Sequence, residues 1–133
     1  MNPRYPLVAA RTGYRCEYCQ APQAVSNSHF EVEHVHPSSL GGGSQIENLA
    51  LACPFCNVFT AVATHSVDPE SVLLVALFHP RTDVWEDHFT VYLQTMHVVG
   101  LTQSGRATVE RLRMNRELAV LARGYWAMIG LFP

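Results

Sequence analysis

The 133-residue chain has no lysine at all, only 15% charged residues and only four cysteines. It also lacks any run near the roughly 20 apolar residues that a membrane-spanning helix needs. The N-terminal MNPRYPLVAARTGYRC has no apolar core of the kind a secretory signal carries, so the expectation is a cytoplasmic protein. No repeat or low-complexity tract interrupts the chain, and at this length with 48% hydrophobic residues one globular domain over 1–133 is expected. The net charge of −2 excludes a global pull toward polyanions, yet the distribution is uneven. Residues 1–70 hold three arginines against six acids, 71–100 one against three, and 101–133 five against two. The C-terminal segment is therefore locally basic, and all its cations are arginines, the side chain best suited to bidentate phosphate contacts.

What is present is punctuated. Residues 6–12 read as a short helix stopped by Gly13, which delivers the chain into Cys16-Glu17-Tyr18-Cys19. Residues 29–35 alternate in polarity and are rich in β-branched and aromatic residues, as in a strand, and Pro37 ends it. A Ser/Gly-rich loop follows, then a short strand at 48–51 and a helix opening at Cys53-Pro54. Farther on, 71–78 is an apolar stretch, 89–94 and 96–101 pair as a hairpin, and helices are expected over 102–115 and 116–130. In the last helix Leu118, Leu121, Tyr125 and Ile129 form an apolar stripe, which is expected to pack in the core.

Two CxxC pairs, Cys16/Cys19 and Cys53/Cys56, can set four thiolates around a structural Zn2+, because each knuckle turns both sulfurs to one side. Disulfides or a redox CxxC are the alternatives, and they need an oxidising compartment or a thioredoxin-like pattern. The 33 residues between Cys19 and Cys53 exceed a simple ribbon, so the insert is where chemistry is sought. It holds Glu33-His34, Gly41-Gly42-Gly43 and Glu47-Asn48-Leu49, and Cys56-Asn57 closes it.

The order EHVxP, GGG, ENL, CxxCN resembles the ββα-metal motif of the HNH endonucleases, in the branch with a CxxC pair on each side. The match runs from Cys16 to Asn57. The segments VDPES, LFHPR, WEDHF and GLTQSGRATVERLRMNR resemble a C-terminal extension seen in many HNH proteins. The resemblance implies an α+β fold: a ββα-metal (His-Me finger) core at 14–66, stapled by the four-cysteine zinc site, with an extension at 67–133 carrying a hairpin and helices. It implies a DNA endonuclease in which His34 is the general base, Asn48 fixes the loop and orients that base, and Glu33 with Asn57 holds one Mg2+ or Mn2+.

On a regular strand neighbouring residues face opposite ways, so a bend is expected between Glu33 and His34 if both serve one centre. His36 shares the face of His34 and competes with it for the role of base. Thr60 and Val62 stand where the family pattern commonly has a lysine and an acid, which leaves a binding-only, degenerate HNH domain or a zinc-ribbon interaction module as rivals. Arg15, Arg106 and Arg113 are the candidate DNA contacts, a homodimer is one route to double-strand cleavage, and Asp87-His88 is read as a decoy packed between Trp85 and Phe89.

Overall fold

A computed structural model describes residues 1–133. It is an α+β arrangement of helices and three separate two-stranded antiparallel sheets. Helix α1 (Tyr5–Arg11) ends as expected, with Gly13 in the left-handed region at φ +64, where no side chain strains the turn. Strands β1 (Glu31–His34) and β2 (Leu49–Ala52) pair in a hairpin. Helix α2 (Pro54–Thr60) follows at once, with Pro54 in its first turn and the Cys53 sulfur capping it by accepting from Cys56 N–H. All four β2 residues, Leu-Ala-Leu-Ala, are buried, because α1 and α2 cover the hairpin. That continuous apolar strand is the floor of the core.

Beyond α2 come β3 (His65–Val67) paired with β4 (Leu74–Ala76), a single turn α3 (Trp85–His88), the hairpin β5 (Phe89–Tyr92) and β6 (His97–Gly100), and helices α4 (Gln103–Arg111) and α5 (Glu117–Met128). Thr102 caps α4 by accepting from Gly105 N–H. Phe78, Phe89, Val98, Leu112 and Met114 join the same buried cluster as Val8, Leu49, Leu51 and Cys56, so apolar packing is continuous from the knuckles into the later residues. No helix is long and apolar enough to cross a membrane.

One expectation fails. Leu118, Leu121, Tyr125 and Ile129 are not core: all are more than half exposed, and α5 instead buries Arg123. Helical spacing marks an apolar face without saying which way it turns, and here two carbonyls decide it. Arg123 donates to Met96 O (2.5 Å) and Met114 O (2.7 Å), rolling the polar residue inward. The apolar stretch 71–78, open in the sequence between a buried strand and a packed loop, holds the mostly exposed strand β4 and is buried only at Leu77 and Phe78.

Candidate functional site

The site is built on the β1–β2 hairpin and the start of α2. The ladder is regular through Glu33↔Ala50 and His34↔Leu49, and Val35 N–H continues it to Asn48 O. The expected bend is therefore absent, because uninterrupted pairing to β2 holds the strand straight. Glu33 turns inward and is buried, and His34 turns outward and is half-buried. His34 Nε2 lies 2.9 Å from Ser44 Oγ, and its Nδ1 has no protein partner.

The long loop between the strands is tied by Asn48. Its amide donates to His36 O (3.0 Å) and Gly43 O (2.7 Å) and accepts from His36 N–H (2.8 Å), closing the loop against the strand end. Gly42 is required by this closure, since a Cβ there would stand 1.8 Å from the His36 carbonyl oxygen. His36 is exposed, with Nε2 3.0 Å from Leu40 O. It lines a cavity of about 350 Å³ together with Tyr18, Thr60, His65, His79 and Asp83.

Glu33 meets Tyr18, whose hydroxyl donates to Oε1, while Oε2 has no protein partner. Burial pushes this carboxyl up to about 7, and the Tyr18 hydroxyl opposes the shift. Asn57 is half-buried on α2, which packs against β1, and its side-chain amide has no protein partner. One carboxylate and one amide are few ligands, but Mg2+ takes only one or two carboxylates from a protein and completes its shell with water and phosphate oxygens. The donor set therefore fits a hard divalent ion in kind.

The four sulfurs of Cys16, Cys19, Cys53 and Cys56 lie within 4.8 Å of one another. None is in a disulfide. Cys19 and Cys53 sulfurs are 3.8 Å apart, and thiolates at about 2.3 Å from a central zinc stand about 3.8 Å from each other in a tetrahedron. Burial holds the Cys16 thiol well above its ordinary range and the neighbouring sulfurs do the same to Cys56, whereas their hydrogen bonds hold Cys53 well below it. Four sulfurs at this spacing are a donor set that a tetrahedral dication accepts as thiolates.

The residues between the first two cysteines were missed in the sequence. Glu17 is buried, accepts from Leu51 N–H (2.7 Å) and pairs with Arg81 (2.5 Å) and Arg11 (3.3 Å). It thereby pins the knuckle to β2. The signal in the sequence was an acidic residue between two ligating cysteines, where a carboxylate taken out of water needs a partner.

The candidate DNA contacts fare unequally. Arg106 is no free cation: it forks onto buried Asp68 at 3.0 and 2.9 Å and also reaches Glu70 at 3.2 Å. Its exposed-cation reading fails because an Asp-Pro-Glu-Ser turn lies against α4 and offers a carboxylate. Arg15 donates to Gln20 O (3.0 Å) within the knuckle. Arg113 is exposed and stacks on Phe59, 4.9 Å from the ring centre. Thr60 is buried and donates back to Cys56 O, so it offers no outward group in place of a lysine. His88 sits against Thr102 and Phe78, remote in role from His34.

A hairpin closed by an asparagine-tied loop thus lies between two cysteine pairs, the second of which opens α2. Residues 16–58 match the family model described as HNH endonuclease. No curated protein and no solved structure matches the chain.

Proposed function

We propose that the chain is a divalent-metal-dependent endonuclease that hydrolyses DNA phosphodiester bonds, with 14–66 as its core, 67–133 as its extension and a structural zinc on the four cysteines. The observation that carries the reading is His34 itself: one ring nitrogen is engaged by Ser44, and the other is free on the open face of an Asn48-tied hairpin. With Nε2–H donating to Ser44, Nδ1 keeps its lone pair and accepts the proton of the attacking water. The water oxygen bonds to phosphorus as the P–O3′ bond breaks, and the departing O3′ takes a proton from solvent, leaving 5′-phosphate and 3′-hydroxyl ends. Glu33 Oε2 and the Asn57 amide oxygen are the groups that would hold Mg2+ or Mn2+. Such an ion supplies charge neutralisation at the phosphoryl group and the leaving oxygen. Glu33 and His34 leave opposite faces of β1, so a phosphate served by both would have to span the strand.

Supercoiled-plasmid nicking with added Mg2+ or Mn2+ tests this. His34→Ala and Asn57→Ala should each lower the rate by about a hundredfold or more, and His36→Ala should not. The reverse order for the two histidines moves the base to His36, which the cavity beside Tyr18 supports. A binding-only role is the second reading, favoured by the Tyr18 hold on Glu33 and the inward Thr60. It is the outcome if native protein never nicks yet binds duplex as well as His34→Ala.

A further inference from the structure

We propose that Arg111, Arg113 and Arg116, in and after α4, form a phosphate-binding flank laid against α2, supplying the cations that α2 itself lacks. This rests on the nuclease reading and names how the same site holds its substrate. Arg116 lies 4.0 Å from the centre of the Phe55 ring, Arg113 stacks on Phe59, and Arg111 Nε donates to Phe59 O (2.9 Å). Phe55 and Phe59 are four residues apart and share one side of α2; Asn57 is on the other, and exposed Val58 is the crest between them. A helix is only about 10–12 Å across, so a duplex resting on that crest reaches both sides.

None of the three arginines forms an ion pair, although Arg11, Arg81 and Arg106 all do. Glu110 and Glu117 stand beside them in sequence without pairing to them. Stacking on a ring fixes a guanidinium while leaving its edge N–H groups free for an anion.

Helix α4 ends in a left-handed turn at Arg113. Arg113 N–H bonds Glu110 O and Met114 N–H bonds Val109 O, the paired bonds of a Schellman cap, with Arg113 at the left-handed position, φ +49. Glycine is the residue that suits this position, and the turn sets the Arg113 guanidinium over the Phe59 ring.

The test measures duplex binding by fluorescence anisotropy over 50–200 mM NaCl, in a His34→Ala background so that cleavage plays no part. Arg113→Gln/Arg116→Gln should weaken binding at every salt concentration and flatten the log K against log salt line by about 1 for each arginine removed. Arg113→Gly guards against misfolding: it relieves the cap, so its thermal midpoint should hold or rise while its salt line flattens by about 1. If the background protein binds and neither variant changes slope or affinity, the flank does not touch phosphate and the nuclease reading stands. If the native protein neither binds duplex nor nicks plasmid, the nuclease reading falls and takes this flank with it.

Discussion

The cysteine-bounded segment 16–58 and the residues that follow it bury polar groups in different ways. In the first, four thiols crowd together without an internal counter-charge, and Glu33 has one oxygen unpartnered. In the second, Asp68 is saturated by Arg106 and its own turn, and Asn115 both donates to and accepts from Val98. The thiols and Glu33 are left short of partners inside the chain, whereas Asp68 and Asn115 find theirs within it. The difference teaches where binding free energy can act, because only groups left short of partners gain from an ion or a substrate.

The largest effect should come from taking away what the first region lacks. A structural zinc contributes on the order of 10 kcal/mol or more, comparable to the whole stability of a small protein. Chelation, or Cys53→Ser, should therefore unfold 16–58 cooperatively, with one zinc per chain lost in metal analysis. An unchanged thermal midpoint after complete zinc removal would break the comparison.

Next in size is the anchor of the second region. The Arg106 guanidinium holds the Asp68 carboxyl well below the usual carboxylate range. With the folded pKa depressed, its stabilisation is full above the ordinary value near 4 and is lost as pH falls through the lower folded value. Asp68→Asn should lower the melting temperature at neutral pH and flatten its fall in acid relative to the native chain. Parallel acid curves for the two proteins would contradict the ion pair.

Asn48→Ala removes three hydrogen bonds and should cost about 2 kcal/mol in denaturant unfolding. Amide exchange over residues 36–43 should rise, with plasmid nicking falling alongside it. The smallest effect belongs to α5: Leu118→Ser should change stability by no more than about 0.5 kcal/mol, since Leu118 is 71% exposed. A loss above about 2 kcal/mol would return that stripe to a buried interface.

Much of the scaffold was legible because it rests on local rules. The proline at the start of α2, the glycine ending α1, the alternation of β1 and the hairpin at 89–100 each follow from nearest neighbours in sequence. The direction of α5 was not legible, because an apolar stripe and a single arginine compete for the inside. Arg123 won through carbonyls at Met96 and Met114, 27 and 9 residues away in sequence. Arg106 misled for the same reason, its partner lying 38 residues upstream.

By itself the sequence determined the cysteine spacing and the hairpin-and-helix order, because these are carried by residue type and separation along the chain. Only the tertiary structure decided that Glu33 and His34 face opposite ways, that Thr60 turns inward and that the free arginines gather on α2. Those outcomes depend on pairing and contact between residues distant in the chain, where burial and charge compensation outweigh local preference.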